Sequence, residues 1–266
     1  MLKERLLIGQ YYAAESPVHR LNAVVKIIAT MVYLIALFVV DDWWGWGALA
    51  LLAIAAVIIS RVPTAALWRG LKLIAVIAAF TVLLNIFLYP GAAAWQWGPL
   101  SLSLAGLIQG LAMGMRLLLL VLFASLLTLT TTPIALTDGL ERLLKPLAVI
   151  GVPAHEIAMM MTIALRFIPT ILEEFDRIVL AQRARGARIG EGSLLRRVRA
   201  VIPMLVPLFI SAFRRAEDLA AAMDARCYRG AKGRSKWRVA PWRATDTMTL
   251  IVFLLIFAAA IAYRIL

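Results

Sequence analysis

The sequence predicts an all-α, polytopic membrane protein, with about five transmembrane helices and long amphipathic helices outside the bilayer. Of its 266 residues, 63% are hydrophobic and only 16% charged, whereas a soluble domain is about half apolar and about a quarter charged. Apolar runs recur that can cross a bilayer core about 30 Å thick. The segment from Thr132 to Thr245 holds 19 Lys/Arg and 10 Asp/Glu, against 9 and 5 in the rest.

Five apolar runs are long enough to span a membrane as helices, which need roughly 20 residues. Lipid cannot satisfy exposed backbone groups, and no alternating barrel pattern is present, so helices are expected for all of them. The predicted spans are Ala23–Val40, Gly45–Ser60, Leu71–Tyr89, Leu104–Thr131 and Thr247–Tyr263.

Lysine and arginine predict the orientation, because they are enriched in cytoplasmic connections. Basic residues occur in the N-terminal arm and in the second connection, at Lys3, Arg5, Arg20, Arg61, Arg69 and Lys72. The connections 41–44 and 90–103 contain none, and the second of these holds Trp95 and Trp97, which suit a membrane interface. We therefore expect a multi-pass plasma or inner membrane protein whose N-terminus and basic middle section are cytoplasmic.

This topology divides the chain into three segments. Residues 1–132 form an N-terminal membrane domain of four spans, residues 133–245 a cytoplasmic domain of amphipathic helices, and residues 246–266 a last span. In the middle segment, apolar residues recur every three or four positions from Ile157 to Ile178, which predicts one long amphipathic helix with Pro169 inside it. A second helix is predicted from Leu194 to about Ala225.

The connections in the middle segment are predicted from glycine and proline. A shorter helix over Thr137–Val149 precedes the two long ones and is closed by Pro146 and Gly151. Gly186, Gly190 and Gly192 end the first long helix, and the second is expected to be kinked or interrupted at Pro203 and Pro207. The run K-G-R-S-K-W-R, residues 232–238, is expected to be a polar linker to the last span.

No catalytic or metal-binding set emerges from the sequence. His155-Glu156 resembles the start of a zinc-protease motif, but the position of the second histidine is Met159, so a metal site is not expected. A phosphate-binding G-x-x-x-x-G-K-[ST] loop does not occur. Adjacent Asp41 and Asp42 fit a solvated turn better than a catalytic dyad. We expect no cofactor in this chain.

The polar residues inside predicted spans include Asn85 in the third and Arg116 in the fourth. Such residues are costly in a bilayer and face protein or water. They can line a substrate path or make structural hydrogen bonds to a neighbouring helix, and the sequence leaves both interpretations open.

Each long cytoplasmic helix ends in a short basic segment, L-A-Q-R-A-R-G-A-R at 180–188 and A-M-D-A-R-C-Y-R-G at 222–230. In both, an arginine stands between small residues, as Ala184-Arg185-Gly186 and Ala225-Arg226-Cys227. Attraction to anionic headgroups explains the charge but not the small neighbours. An arginine without bulky neighbours can enter a narrow groove and bind a carboxylate or backbone carbonyls.

These segments resemble those of a known family, the transmembrane T components (EcfT) of energy-coupling factor (ECF) transporters. The most specific match is A-L-R-F-I-P-T-I-L-E-E-F-D-R-I-V-L-A-Q-R-A-R-G-A, residues 164–187, followed by A-A-M-D-A-R-C-Y, residues 221–228. Residues 8–21 and 83–91 also match family signatures. The second motif departs from the family, which usually has glycine or serine where this chain has Cys227.

The resemblance implies a non-catalytic coupling subunit. Two ABC-type ATPases, identical or homologous, would bind ATP and Mg²⁺ and receive the Ala-Arg-small motifs, with Arg185 and Arg226 as the docking arginines. A small membrane-embedded S component would bind a vitamin or metal ion, and the T component would transmit the ATPase motion to it.

Two other functions compete with this reading. An intramembrane enzyme could use Arg116, Asn85 or Asp41, although a nucleophile–base pair and a metal set are missing. A basic membrane adaptor could bind anionic lipid or nucleic acid through residues 183–199. Nucleic acid is not expected as a partner, because aromatic stacking platforms and nucleic-acid folds are absent from the sequence.

Overall fold

The structure is a computed structural model that describes residues 11–88, 93–97, 100–187, 194–230 and 241–265. Within these residues the chain forms nine α-helices, one 3₁₀ helix and a small antiparallel hairpin. They group into two compact units, Met1–Leu143 with Arg238–Leu266, and Leu144–Trp237. We call the first the membrane unit and the second the coupling unit.

The elements follow one another in chain order with short connections. They are α1 (Pro17–Arg20), α2 (Ala23–Val39), α3 (Trp43–Ser60), α4 (Thr64–Leu88), β1 (Ala93–Trp97), β2 (Leu100–Ser103), α5 (Leu104–Thr130), α6 (Pro133–Leu144), the 3₁₀ helix (Lys145–Ile150), α7 (Ala154–Ala184), α8 (Leu194–Ala225) and α9 (Ala244–Ile265). The all-α prediction is confirmed, and the positions of both long middle helices agree with the sequence patterns.

Five helices in the described residues are long and apolar enough to cross a membrane, α3, α4, α5, α7 and α9. The number agrees with the prediction, but the set differs. Helix α2, predicted as a span, has 17 residues and is shorter than the others, whereas α7, predicted to be cytoplasmic, meets the length and hydropathy criteria. The N-terminal part of α7 accounts for this, because its acidic cluster begins only at Glu173.

Two local predictions need correction. The connection 90–103 contains β1 and β2, in which Trp97 pairs with Leu100. The helix predicted over Thr137–Val149 is α6, which begins earlier at Pro133, followed by the 3₁₀ helix, because Pro146 has no N–H for a continuing α-helix. Gly151 ends the 3₁₀ helix with φ 88°. Gly190, Gly192 and the linker 232–238 lie outside the described residues.

The core of the membrane unit is centred on Tyr33 of α2. Its ring stacks on Phe123 of α5 with 4.0 Å between centroids, and its hydroxyl donates to the carbonyl of Leu49 in α3 at 3.1 Å. Trp46 of α3 donates from Nε1 to the Val40 carbonyl at 2.8 Å. Because each polar tip has a partner, these aromatic side chains can be buried between three helices without an unsatisfied group.

Helices α4 and α5 pack closely through glycine. A Cβ built on Gly110 would lie 3.0 Å from the Val82 Cα, and one built on Gly114 would lie 3.3 Å from the Val82 side chain. Gly106, Gly110 and Gly114 have the four-residue spacing that allows close helix approach in membranes. This spacing is present in the sequence, and it is the signal from which the close contact could have been predicted.

A buried carboxylate joins the last helix to the N-terminal region. Asp246, in the first turn of α9, is 0% exposed and accepts from the backbone N–H groups of Asn22 and Arg243, both at 2.8 Å. Asn22 is the N-cap of α2, where its side chain accepts from the Val24 N–H. One carboxylate thus fixes the start of two helices that are more than 200 residues apart in sequence.

In the coupling unit, α7 and α8 pack against each other. One polar contact between them is the ion pair between Glu174 of α7 and Arg215 of α8, with 2.7 Å between Oε2 and Nη2. Both prolines of α8 and Pro169 of α7 lie inside continuous helices. Of the two alternatives expected at Pro203 and Pro207, an interruption is excluded, since α8 runs from Leu194 to Ala225, and a kink stays a prediction.

Candidate coupling site

The first arginine segment forms the C-terminal cap of α7. The helix ends at Ala184, and Arg185 is the capping residue. The Gly186 N–H donates to the Arg183 carbonyl at 2.9 Å, and the Ala187 N–H donates to the Gln182 carbonyl at 3.0 Å. This pair of bonds, with a left-handed residue after the cap, is the Schellman motif, which satisfies the last carbonyls of a helix.

The second segment forms the same cap at the end of α8. The helix ends at Ala225, the Cys227 N–H donates to the Asp224 carbonyl at 2.9 Å, and the Tyr228 N–H donates to the Met223 carbonyl at 3.1 Å. The hydrogen bonds have the same sequence offsets as those around Arg185. Arg226 therefore occupies the same position in its cap as Arg185 does in the first.

The cap explains the glycine that follows Arg185, and it places Cys227 after Arg226 in a strained conformation. Gly186 has φ 86° and Cys227 has φ 55°, both in the left-handed region that strains residues with a Cβ. Among the described residues, a Cβ on Gly186 would meet no atom within 4 Å. In the isolated chain the requirement at this position is therefore one of backbone conformation, which the side-chain size of the neighbours does not reveal.

All six residues of the two motifs are exposed: Ala184, Arg185, Gly186, Ala225, Arg226 and Cys227. Two basic neighbours at the same helix ends, Arg183 and Arg229, are exposed as well. Arg188 lies outside the described residues. Among the described ion pairs neither Arg185 nor Arg226 takes part, so both guanidinium groups are accessible for an intermolecular contact.

The two caps are equally distant from the contact between the helices. Glu174 precedes Arg185 by eleven residues, and Arg215 precedes Arg226 by the same number. At 1.5 Å per helical residue, each arginine is about 16 Å along its helix from the ion pair. A polar cleft of about 340 Å³ lies at this contact and is lined by Thr170, Glu173, Glu174, Arg177, Ile178, Ala181 and Arg215.

Arg116 has a structural role at the end of α2. Its Nη2 donates to the Val40 carbonyl at 3.1 Å and to Oδ1 of Asp41 at 3.0 Å, and its guanidinium lies over the rings of Phe38 and Trp46. These contacts support the interpretation of Arg116 as a structural hydrogen-bond donor over that of a substrate-path residue.

Asn85 is also engaged within the protein. Its Nδ2 donates to the Thr81 carbonyl one turn earlier at 2.9 Å and contacts the sulfur of Met113 on α5 at 4.0 Å. It thus belongs to the interface of α4 and α5, next to Gly110, and its structural interpretation is favoured as well.

The remaining candidates for chemistry do not assemble into a site. Asp41 pairs with Arg116, while Asp42 caps α3 by accepting from the Gly45 N–H at 2.9 Å. Across the described residues, no group of three or more His, Cys, Asp or Glu side chains could hold a metal ion. The absence of a cofactor or metal in this chain stays a prediction.

Known proteins match the chain over nearly its whole length. The profile of the family described as "CbiQ: Cobalt transport protein" matches residues 14–237. Similar proteins named "Energy-coupling factor transporter transmembrane protein EcfT" come from Thermosediminibacter oceani, 47% identical over 97% of this chain and 98% of the relative, and from Ruminiclostridium cellulolyticum, 49% identical over 88% and 87%. The Bacillus subtilis relative is 43% identical over 98% of this chain and 99% of its own length.

These matches confirm the resemblance seen in the two arginine motifs. Proteins of this kind are transmembrane components of transporters and are not themselves catalytic. The exposed helix caps and the apolar helices are features of a multi-pass membrane subunit. The chain belongs to the CbiQ family and is an EcfT-type transmembrane component of an energy-coupling factor transporter.

Proposed function

We propose that this chain couples two cytoplasmic ABC-type ATPases to a small membrane-embedded S component that imports a vitamin or a metal ion. The ATPases bind ATP and Mg²⁺, and the S component selects the substrate. This chain supplies the connection between them and needs no cofactor of its own. The two ATPases can be identical or homologous, since the chain presents them with two equivalent contacts.

The observation that supports this proposal best is that the two helix caps have the same hydrogen-bond geometry. Arg185 and Arg226 occupy the same position in Schellman motifs with the same hydrogen-bond offsets, and both side chains are exposed. Two like contacts suit two like sockets on related subunits. An arginine in such a socket can make bidentate, charge-assisted hydrogen bonds to a carboxylate or bind helix-terminal carbonyls.

We further propose that the N-terminus and helices α7 and α8 lie on the cytoplasmic side. Basic residues in the chain's N-terminal arm and second connection favour this orientation under the positive-inside rule. Helix α7 is apolar in its first half, but its second half carries Glu173, Glu174, Asp176 and Arg177 in five consecutive positions. Placing these charges in hydrocarbon would be costly, so we place α7 along the cytoplasmic surface.

The test is substrate uptake by the complete transporter carrying Arg185→Ala and Arg226→Ala. Removing an interfacial charge contact costs about 2–5 kcal/mol, which weakens each contact at least about thirtyfold. Uptake should be lost while membrane insertion is unchanged. The matched control is Arg183→Ala with Arg229→Ala, which removes the same charge from the same helix ends. Uptake at the wild-type rate in the Arg185/Arg226 variant would refute the proposal.

Arginine-to-lysine variants separate coupling from the alternative of a basic adaptor. An adaptor that binds anionic lipid needs charge near the surface, so Arg185→Lys should be tolerated. A bidentate socket distinguishes the planar guanidinium from an ammonium, and Arg185→Lys should then release the ATPases. Co-purification of the ATPases with the detergent-solubilised variant measures the difference, and full retention would favour the adaptor.

A further inference from the structure

The membrane unit contains a large apolar cavity that the coupling site does not use. Its volume is about 860 Å³, and it lies among α1, α2, α3, α5 and α9. Cavities that take small ligands have volumes of this order. The wall is mostly apolar and includes Leu52, Ala55, Ile59, Leu126, Met248 and Phe253.

Basic side chains line the same cavity. Arg20, Arg61 and Arg243 are exposed, and Lys26 is only 7% exposed. The single acidic residue of the lining is Glu15, which lies 3.6 Å from Arg20 and is largely exposed itself, so the pair is weak. The cavity therefore combines an apolar body with a net positive lining.

A second, polar cavity of about 310 Å³ adjoins the first, and five residues line both: Arg20, Leu21, Lys26, Thr130 and Arg243. Thr131 lines the polar cavity, is 3% exposed, and its Oγ1 has no hydrogen-bond partner in the described part of the chain. Asp138 and Arg142 of α6 are further along its wall.

Lys26 stands between the two cavities with donor capacity to spare. Its Nζ donates to the carbonyls of Thr130 at 2.8 Å and His19 at 3.2 Å. An ammonium group has three donors, and within the described residues no acceptor takes the third. A buried ammonium with a free donor and a buried hydroxyl without a partner both call for a polar ligand at this point.

We propose that these adjoining cavities bind an anionic glycerophospholipid. The acyl chains occupy the apolar cavity, the phosphate lies among Lys26, Arg20 and Arg243, and the polar end of the headgroup reaches Thr131. A small soluble anion would leave the apolar cavity unfilled. An apolar helix of another subunit would leave the Lys26 donor and the Thr131 hydroxyl unsatisfied. A phospholipid matches both chemistries, and its negative charge complements the basic lining.

The membrane level of the site follows from the proposed orientation. Arg20 and Arg61 are in the N-terminal arm and the second connection, which we place in the cytoplasm. The lipid then comes from the cytoplasmic leaflet, where basic residues contribute to binding of anionic headgroups. Binding itself needs neither ATPase nor S component, so failure of this inference would leave the proposed coupling function untouched.

The experiment is native mass spectrometry of the full chain, purified in detergent and mixed with phosphatidylglycerol or phosphatidylcholine of identical acyl chains. We expect one phosphatidylglycerol retained in preference to phosphatidylcholine. Replacing Arg20 and Arg243 by glutamine should reduce this preference about thirtyfold, because two headgroup contacts are removed. The control, Arg69→Gln with Arg214→Gln, makes the same change in net charge at exposed arginines outside both cavities and should retain it.

A second variant tests the apolar cavity without altering charge. Ala55→Phe places a ring in the space assigned to the acyl chains and should lower retention of phosphatidylglycerol and phosphatidylcholine alike. Equal retention of the two lipids by the unaltered chain would overturn the proposal, as would an equal loss in the Arg69/Arg214 control. Displacement of the lipid when the chain is assembled with its S component would also overturn it, because a subunit helix would then be the occupant.

Discussion

Individual residues in the two helix caps carry a conformational requirement as well as a charge. Arg185 and Arg226 each precede a residue with positive φ, Gly186 in one cap and Cys227 in the other. A residue with a Cβ pays about 1–2 kcal/mol in this conformation, and glycine does not. The second cap is therefore under more strain than the first, although their hydrogen bonds correspond.

Replacing Cys227 by glycine should stabilise the cap of α8, and replacing Gly186 by alanine should destabilise the cap of α7. Cys227→Gly should protect the amides of the last turn of α8 by about 1 kcal/mol, because it relieves left-handed strain without losing a contact at an exposed site. Gly186→Ala should weaken the last turn of α7 by a similar amount, because alanine is strained at positive φ. Among the described residues no atom lies within 4 Å of the added Cβ, so only this strain is expected to act. Amide hydrogen exchange measures both. An unchanged exchange rate in both variants would contradict the cap geometry.

At this scale the sequence allowed a partial prediction. The arginines and their small neighbours were identifiable from the two quoted segments, and the family resemblance assigned them a role. The left-handed backbone conformation of Cys227 could not be predicted, because cysteine rarely adopts positive φ and its neighbours in sequence do not require it. The contacts of Arg116 with Val40 and Asp41 were also unpredictable, as they join residues about 75 positions apart.

Whole elements are positioned by close contacts that composition does not reveal. Helices α4 and α5 approach through Gly110 and Gly114, and Asn85 lies on the same interface. Helix-to-helix attraction in lipid depends on such contacts, because the hydrocarbon offers no hydrophobic driving force. The four-residue glycine spacing was available in the sequence, but its partner helix was not.

Gly110→Ala should separate α4 from α5. The added Cβ would lie 3.0 Å from the Val82 Cα and 3.1 Å from its carbonyl oxygen, and backbone cannot move aside as a side chain can. We expect a loss of about 1–3 kcal/mol, the usual cost of overpacking, measured as a lower thermal unfolding temperature in detergent. Gly47→Ala in α3 is the control, since its Cβ would meet nothing within 4 Å. Equal effects of the two substitutions would argue against a close α4–α5 contact.

The bounds of the helices could be predicted from the sequence more accurately than the neighbours or the membrane placement of each helix. Apolar runs gave α3, α5 and α9 within a few residues, because hydropathy directly reflects the demands of lipid. Hydropathy did not predict β1 and β2, because a short hairpin depends on pairing between two strands, which a periodic pattern of apolar residues does not reveal. Helix α7 shows a further limit, because its mean hydropathy alone admits a span while its charges oppose one.

Across the whole molecule, the membrane unit is discontinuous in sequence. It combines Met1–Leu143 with Arg238–Leu266, and the coupling unit is inserted between them. Helix α9 packs against α2, and Asp246 fixes the starts of both. The last helix thus completes a unit that the first part of the chain begins.

Asp246→Ala should therefore destabilise the membrane unit as a whole. The substitution leaves the buried N–H of Asn22 and the part-buried N–H of Arg243 without their acceptor, at a cost of about 1–3 kcal/mol for the buried group. Asp246→Asn keeps one acceptor oxygen and should show an intermediate loss. Thermal unfolding of the purified chain in detergent measures the series, with Thr245→Ala as an exposed neighbouring control. A stability equal to that of the unaltered chain in Asp246→Ala would refute the role of this carboxylate.

The equal spacing of the two caps from Glu174 and Arg215 has a mechanical consequence. If the two helices turned about this ion pair as a pivot, each would act as a lever about 16 Å long between the ion pair and its arginine. A change of roughly 10° in the orientation of one helix about this pivot displaces its arginine by about 3 Å. Because the two levers are equal in length, the same angular change of either helix would move Arg185 and Arg226 by the same distance.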